Sequence, residues 1–181
     1  MDGAGFVGRS AWVALFVYTG VMLTLTMLKA FFVIGHLWRP ENQRIRSLEL
    51  VPFAEAFRGS SWFAPLFDGI GNVAFFVPFG VLLYIVVGSE SNPLRRVTLV
   101  GAAVSLGIEM LQYVFALGHS DVTDILFNTL GAFLGAGFAR LCGPRFHRWW
   151  VGLSFLLGAV FLVLVGLGDR LGDPEKIVEL R

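Results

Sequence analysis

Long apolar segments constrain this chain more than any other feature of its sequence. Five of them are predicted to be membrane-spanning helices, at 11–34, 70–87, 97–117, 125–141 and 149–167. A helix needs about 20 predominantly apolar residues to cross the hydrocarbon core of a bilayer. Hydrophobic residues make up 56% of the 181 residues, and the mean hydropathy is +0.73. The sequence therefore predicts an all-α fold, a polytopic transmembrane helix bundle with about five spans.

The composition excludes several other classes of protein. Charged residues make up 15% of the chain, well below the average of about 25% in soluble domains. The net charge of +1 offers no electrostatic basis for binding nucleic acid, so no such partner is expected. Cys142 is the only cysteine, which excludes an intrachain disulfide and a multi-cysteine metal site.

A long polar and aromatic segment, 36–68, separates spans one and two. It mixes arginine and glutamate with aromatic residues such as Trp38, Phe53 and Trp62. Aromatic side chains of this kind favour the headgroup region of a membrane. We therefore predict a long interfacial loop, placed so that it can cap a cavity between the helices.

The distribution of arginine in the short loops predicts an orientation. Arginines cluster on one side of the predicted bundle: Arg9, Arg95, Arg96, Arg140, Arg145 and Arg148. The connection 118–123 contains no lysine or arginine. Because cytoplasmic loops carry the excess of positive residues, we expect the N-terminus inside and 118–123 outside.

Spans three and four carry polar residues along one face each. At 100° per residue, four residues of span three fall within about 80° of one another. These are Gly101, Ser105, Glu109 and Gln112. A second stripe follows along the next helical segment, which leads into span four: Asp121, Asp124, Asn128, Gly131 and Gly135. Because the two helices turn back on each other, four polar residues are predicted to lie at the same level of the membrane: Glu109, Gln112, Asp124 and Asn128. Gly131, Gly135 and Gly137 are expected to let a neighbouring backbone approach closely.

Several ordered motifs occur in this part of the chain. Glu109 begins E-x-x-Q, and Asp121 begins D-x-x-D-x-x-x-N-T-x-G-A-x-x-G. Upstream, Asn72 begins N-x-x-x-F-x-P-F-G, and Pro52 with Phe53 forms a shorter element. In this set and order, residues 18–137 resemble the VanZ-like family of integral membrane proteins.

The chain departs from the usual pattern of that family at two points. Family members usually carry an arginine just before the first aspartate, where this chain has Gly118 and His119. Glu49 stands before the Pro-Phe element, where asparagine is commoner. If that arginine binds an anionic group in relatives, this chain binds it differently or not at all.

The resemblance implies an organisation and a role. Residues 1–142 would form a VanZ-like membrane domain of four spans, and 143–181 an added transmembrane helix with a short polar tail. The location would be the bacterial inner or plasma membrane, and the role one in the cell envelope. Membrane lipids and a lipid-linked cell-wall precursor are the partners it implies. The family's named member is linked to glycopeptide resistance, to teicoplanin in particular. The sequence does not set the oligomeric state.

Eight polar residues from four segments are predicted to lie in the outer third of the membrane. We expect them to form a ligand-binding cluster: Lys29, Asn72, Glu109, Gln112, His119, Asp121, Asp124 and Asn128. Ionisable groups at membrane depth are costly and mark functional sites. Lys29 lies near the outer end of span one, where it either snorkels to the headgroups or pairs with a carboxylate of the cluster.

Two of the three interpretations of this cluster involve no catalysed reaction. In the structural one, Asp68 and Asp121 cap helices, while Gln112 and Asn128 hold helices together. This interpretation fits Glu109 poorly, because a carboxylate near a helix C-terminus meets the negative end of the helix dipole. In the second interpretation, the cluster binds a polar or lipid-linked component of the envelope.

The third interpretation is an intramembrane enzyme acting on a lipid-linked phosphate. Glu109, Asp121 and Asp124 would hold a divalent cation, since Mg²⁺ and Ca²⁺ prefer oxygen ligands. Alternatively, Glu109 and His119 would act as acid and base. No cofactor is predicted apart from that divalent cation. No serine-histidine-aspartate order, phosphate-binding glycine loop or zinc spacing supports another chemistry.

Overall fold

A computed structural model describes residues 3–27, 46–58 and 62–171 of the chain. It contains six α-helices and two short strands in these ranges. In chain order they are α1 (Gly3–Met27), β1 (Arg46–Glu49), α2 (Ala54–Arg58), α3 (Phe63–Val87), α4 (Pro93–Phe115), β2 (Gly118–Asp121), α5 (Val122–Cys142) and α6 (His147–Leu171). A 3-10 turn, Pro144–Phe146, connects α5 to α6.

Four helices in the described part are long and apolar enough to cross a membrane. The spanning stretches are Gly8–Met27, Pro65–Val87, Pro93–Phe115 and Val122–Cys142. The predicted all-helical bundle is therefore confirmed. The predicted fifth span corresponds to α6, and its crossing of the membrane stays a prediction.

The predicted loop at 36–68 is wrong over much of its described part. Arg46–Glu49 forms β1, Ala54–Arg58 forms α2, and α3 begins at Phe63 rather than at residue 70. Pro65 does not interrupt the helix, because it lies in the first turn, where its missing N–H would have no helical acceptor. The exposed aromatic residues Phe63 and Phe67 therefore belong to the first turns of α3 and not to a loop.

The connection between α4 and α5 is a strand and not a loop. Strand β2 pairs in parallel with β1, and Arg46 lies opposite Gly118 while Glu49 lies opposite Asp121. This pairing joins the segment before α2 to the start of α5. It fixes both segments at the same end of the bundle.

Helices α3 and α5 form the tightest contact of the bundle. A Cβ atom added at Gly135 would lie 2.1 Å from the Val77 carbonyl oxygen, and one added at Gly131 would lie 2.5 Å from the Val73 carbonyl oxygen. Close backbone approach at these two glycines was predicted and is found. The prediction is wrong for Gly137, which has open space around it.

Helix α1 is attached to α3 near the middle of the bundle. Pro78 lies inside α3 and has no N–H, so the Ala74 carbonyl loses its helical donor. One residue further on, the Phe75 carbonyl accepts a hydrogen bond from the Tyr18 hydroxyl at 2.9 Å. Tyr18 is also part of the buried core, with Met22 and Phe76. The C-terminal half of α1 is thereby held against the middle of α3.

Candidate functional site

A cavity of about 760 Å³ opens where the C-terminal ends of α1 and α4 meet the N-terminal parts of α3 and α5. Seven of the eight predicted site residues line it: Asn72, Glu109, Gln112, His119, Asp121, Asp124 and Asn128. The eighth, Lys29, lies outside the described residues. The predicted convergence of these seven is therefore found, whereas their binding of a ligand stays a prediction. A smaller cavity of about 400 Å³, around Glu90 and Arg95, contains none of them.

The two polar stripes face the interior because their helical spacing places them there. Gly101, Ser105, Glu109 and Gln112 are all among the buried residues of α4. On α5, the buried residues include Asn128, Gly131 and Gly135. The stripes thus supply both the close helix packing and the polar floor of the cavity.

Glu109 connects the end of α4 to the start of α5. Its side-chain Oε2 accepts the backbone N–H of Asp121 at 3.0 Å, and the Ser120 hydroxyl donates to its backbone carbonyl at 2.9 Å. Glu109 is only 6% exposed. The expected conflict with the dipole of α4 is offset, because the carboxylate also meets the positive N-terminal end of α5. This contact is an additional structural role that the sequence did not reveal.

Asp121 is the N-cap of α5, as the structural interpretation predicted. Its backbone is extended (φ −127°), and its side chain accepts the Thr123 N–H at 2.7 Å. The Thr123 hydroxyl in turn accepts the N–H of Phe53 at 2.9 Å. Phe53 has a positive φ of 61°, so this bond holds a strained backbone in place. Sequence reasoning missed Thr123, since a threonine beside an N-cap carries no distinctive signal.

Asn72 and Asp124 join α3 to α5. The Asn72 Nδ2 donates to Asp124 Oδ1 at 2.5 Å. Asp68, predicted to cap the helix, instead lies inside α3 because that helix begins at Phe63. Its side chain is exposed and lines the cavity.

Two amides on the floor of the cavity have one unpartnered oxygen each. Gln112 Nε2 donates to the Thr26 carbonyl at 3.0 Å, and Asn128 Nδ2 donates to the Ser105 hydroxyl at 2.9 Å. Gln112 Oε1 and Asn128 Oδ1 are buried without a partner in the described part of the chain. Leaving a buried acceptor unsatisfied costs about 1–3 kcal/mol. A carbonyl only accepts, so the contact with Thr26 fixes the Gln112 oxygen as the unpartnered atom.

His119 lies at the rim of the cavity, on β2. Its Nδ1 shares a hydrogen bond with the Ser47 hydroxyl on the neighbouring strand. Arg46, also on that strand, donates to the Val114 carbonyl at 3.0 Å and lies over the Tyr113 ring. It therefore stabilises the C-terminal end of α4.

Glu49 and Arg58 form an ion pair beside the cavity. The Val51 N–H and the Arg58 guanidinium both donate to the Glu49 carboxylate and hold its pKa below the usual range. The charge of Arg58 is thus engaged by Glu49. Among the residues the structure describes, the lining of the cavity contains no lysine or arginine.

The described residues contain no group of three or more histidine, cysteine, aspartate or glutamate side chains that could hold a metal ion. The three carboxylates of the predicted cation site contact separate donors. Glu109 accepts from Asp121, Asp121 accepts from Thr123, and Asp124 accepts from Asn72. The divalent-cation interpretation therefore stays a prediction. The described residues provide no set of ligands for such an ion.

Aromatic side chains form the rest of the wall. Phe53, Trp62, Phe67, Phe75 and Phe127 all line the cavity. The Phe53 and Phe127 rings pack edge to face, with their centroids 6.0 Å apart. The cavity therefore combines a polar floor with an aromatic side.

Comparisons with known proteins match the part of the chain that contains the cavity. The model of the VanZ/LLP1 family matches residues 15–143, a range that includes every residue of the predicted cluster. The chain is also similar to Protein VanZ of Enterococcus faecium, with 35% identity over 129 residues. That alignment covers 70% of this chain and 73% of the relative. No solved structure matches the chain. With four helices of spanning length around one cavity, this chain is a membrane protein that belongs to the VanZ/LLP1 family.

Proposed function

We propose that this protein binds the polar head of a lipid-linked component of the bacterial cell envelope, and that this binding underlies a role in glycopeptide resistance. The observation that carries the proposal is the cavity itself. Its floor is polar, and its aromatic side continues onto exposed apolar surface. An amphipathic molecule is the kind of ligand that matches both parts.

The polar floor supports recognition of a hydrophilic head. Gln112 and Asn128 are 6% and 4% exposed, and each has an unpartnered oxygen. Buried polar groups usually have a hydrogen-bond partner, so an unpartnered one favours a functional explanation. A ligand that donates hydrogen bonds at the floor would satisfy these acceptors.

The aromatic side supports access from the membrane. Trp62, Phe63 and Phe67 are 69%, 64% and 66% exposed at the start of α3. Two of them, Trp62 and Phe67, also line the cavity. Tryptophan favours the interface between headgroups and hydrocarbon. A lipid-linked molecule could therefore place its chain along this surface and its head in the cavity.

Family membership supports the envelope role. The matched region contains the cavity, and the relative in Enterococcus faecium carries the name Protein VanZ. The link to teicoplanin comes from the resemblance to VanZ-like proteins. A protein that binds a lipid-linked cell-wall precursor at the outer side of the membrane would change the amount of precursor that a glycopeptide can bind.

The test compares two variants of α4. Gln112→Leu removes a polar group from the floor, whereas Thr98→Val removes a hydroxyl that, among the residues described, bonds to the Leu94 carbonyl of the same helix. Each protein is produced in a teicoplanin-sensitive bacterium and purified for native mass spectrometry with a lipid-linked precursor. We expect Thr98→Val to keep resistance and precursor binding, and Gln112→Leu to lose both at normal membrane abundance.

Two outcomes would contradict this proposal. If the wild-type protein neither changes teicoplanin sensitivity nor retains the precursor, the binding function is wrong. If the recovered precursor has a changed mass, the protein is an enzyme and not a binding protein.

A further inference from the structure

We infer that the end of the bundle opposite the large cavity binds an anionic phospholipid. The site is the smaller cavity of about 400 Å³, which we call the arginine groove. Its lining comes from the connection between α3 and α4 and from the first turns of α4. The groove is separate from the large cavity, so its ligand does not depend on the function proposed above.

The charge at this end of the bundle favours an anion. The N-terminal parts of α1, α4 and α6 and the C-terminal part of α5 bring six arginines to it: Arg9, Arg95, Arg96, Arg140, Arg145 and Arg148. Among the side chains that the structure describes at this end, Glu90 is the only carboxylate. An anionic membrane surface attracts a nearby arginine by about 1 kcal/mol. Lipids with a negatively charged headgroup should therefore be enriched around these helix ends.

The groove itself keeps one arginine charge after its ion pair is counted. Glu90 pairs with Arg96, so these two charges offset each other. Arg95 also lines the groove, is exposed, and has no hydrogen bond or ion pair with the residues described. A guanidinium group presents donors in a planar fork that matches two oxygens of a phosphate. Arg95 is therefore the residue that would hold the phosphate of the headgroup.

The other part of the groove is apolar and leads away from the charges. Leu99, Val100 and Ala103 follow Arg96 after three, four and seven residues, a spacing that places all three on one face of α4. At 1.5 Å per residue, this face extends about 10 Å from Arg96 along the spanning stretch. Leu99 is 58% exposed. An acyl chain in the surrounding membrane can therefore lie against this face.

The two parts together select an anionic phospholipid over other ligands. A soluble phosphate would pair with Arg95 but would leave the apolar face uncovered. An acidic protein segment would not extend beside Ala103, which lies within the stretch of α4 that spans the membrane. Phosphatidylcholine has a phosphate and acyl chains, but its ammonium group would add a positive charge to an end that already has six arginines. Phosphatidylglycerol has the chains and a net negative charge.

The experiment measures lipid binding to the full chain in dodecyl maltoside micelles by native mass spectrometry. Phosphatidylglycerol and phosphatidylcholine with identical acyl chains are titrated at one ionic strength, and glycerol 3-phosphate provides the headgroup phosphate without chains. We expect phosphatidylglycerol to bind about tenfold more tightly than phosphatidylcholine, as hydrogen bonds between charged groups predict. Glycerol 3-phosphate should bind at least about tenfold more weakly than phosphatidylglycerol, because it buries no apolar surface.

Charge variants assign the preference for phosphatidylglycerol to the groove. Arg95→Gln should reduce it about fivefold, the equivalent of about 1 kcal/mol. Arg140→Gln is the matched control, because Arg140 is an exposed arginine at the same end that does not line the groove. Glu90→Gln should act in the opposite direction and raise the preference, since it leaves Arg96 without its carboxylate. Damage to the fold would not strengthen binding, so this variant separates a charge effect from a structural one.

A third variant tests the apolar face. Leu99→Ala should weaken both lipids by a similar factor, about threefold, because it removes apolar contact with the acyl chain and leaves the charges unchanged. Leu106→Ala is its control, since Leu106 is 49% exposed on the same helix but lies outside the groove. It should bind both lipids as the wild type does.

Several results would overturn the lipid site. Equal binding of the two lipids would exclude a preference for anions, and binding of glycerol 3-phosphate as tight as that of phosphatidylglycerol would exclude a role for the chain. An equal loss of preference in Arg140→Gln and Arg95→Gln would mean that the charge of the whole end, and not the groove, attracts the lipid. An unchanged preference in both Arg95→Gln and Glu90→Gln would also exclude the groove. None of the substituted residues lines the large cavity, so the binding function proposed for it would stand in each case.

Discussion

The Glu109 carboxylate accepts the backbone N–H of Asp121 at 3.0 Å, twelve residues further along the chain. This bond crosses from the last turns of α4 to the residue that caps α5. It places a buried negative charge where the dipole of α5 is positive. One carboxylate therefore has a structural partner and at the same time lines the cavity, so that its two roles have to be separated by experiment.

Two substitutions at Glu109 separate those roles. Glu109→Gln keeps a side-chain oxygen for the Asp121 N–H, whereas Glu109→Leu leaves that N–H without its acceptor. We expect the leucine variant to lose about 1–3 kcal/mol of stability, and the glutamine variant to lose little. Thermal unfolding in detergent measures the difference. Equal loss in both variants would mean that the charge, and not the hydrogen bond, stabilises the fold.

Removal of the charge at Glu109 and at Asp124 tests function. If Glu109 contributes its charge to the cavity, Glu109→Gln should insert and fold normally yet lose activity in a teicoplanin-sensitivity assay. Asp124→Asn should behave in the same way. Wild-type activity in both variants at equal membrane abundance would favour the structural interpretation of the cluster.

Asp121 should tolerate replacement by asparagine better than by alanine. Its side chain accepts the Thr123 N–H at 2.7 Å, and asparagine caps helices about as well as aspartate. Asp121→Ala should cost about 1 kcal/mol, a typical value for loss of an N-cap. Chemical denaturation of the two variants in parallel provides the comparison. An alanine variant as stable as the asparagine variant would show that capping contributes little here.

The helical stripes could be predicted from the sequence because their spacing is local. A period of 3.6 residues places Glu109 and Gln112 on one face, and the structure buries both. Asn128 follows from the same argument on α5, where it is 4% exposed. The short connection 118–123 then brings the two faces together, so their contact could also be predicted from the sequence.

The strand pairing could not be predicted in the same way. Ser47 lies opposite His119, 72 residues away, in a ladder of four residue pairs. Strands this short have no periodicity that distinguishes them from loops. The role of Phe53 was missed for a related reason, since its bond to Thr123 spans 70 residues. Contacts of this kind depend on the packed helices and not on local sequence.

Glycine substitutions on α5 test the close contact with α3. A Cβ at Gly135 would lie 2.1 Å from a backbone carbonyl, so Gly135→Ala must push the two helices apart. We expect a loss of about 1–3 kcal/mol or more, the usual cost of overpacking. Gly137→Ala is the control, because Gly137 has no neighbour within 4 Å. It should be neutral or slightly stabilising, since alanine favours helix by up to about 1 kcal/mol over glycine.

Those two variants are compared by the fraction of protein that stays monodisperse on gel filtration after heating. A Gly135→Ala variant as stable as Gly137→Ala would mean that the helices lie further apart than described. The test is independent of any ligand, because neither glycine lines the cavity.

The segment around α2 should depend on pH. The pKa of Glu49 is held below its usual range by the Val51 N–H and by Arg58. A lowered folded-state pKa stabilises the fold above the unfolded pKa of about 4.3, and this stabilisation is lost as the pH falls through the folded-state value. A lower protection factor against hydrogen exchange is therefore expected at Val51 in acid, after correction for the slower intrinsic exchange at low pH. Glu49→Gln should remove this pH dependence. If the variant kept the same dependence of exchange on pH as the wild type, a group other than Glu49 would be responsible.

The predicted orientation can be tested by cysteine labelling of intact cells, with Cys142 replaced by serine. Ser120, in the connection 118–123, is unsuitable because it is only 1% exposed and donates to the Glu109 carbonyl. Val51 is 55% exposed beside the cavity, and Ser91 is exposed at the opposite end of the bundle. Because Arg95 and Arg96 lie close to Ser91 and positive residues favour the cytoplasm, Val51→Cys should react with a membrane-impermeant thiol reagent and Ser91→Cys should not. The reverse pattern would place the cavity at the cytoplasmic side. It would thereby remove cell-wall precursors of the outer leaflet from the candidate ligands.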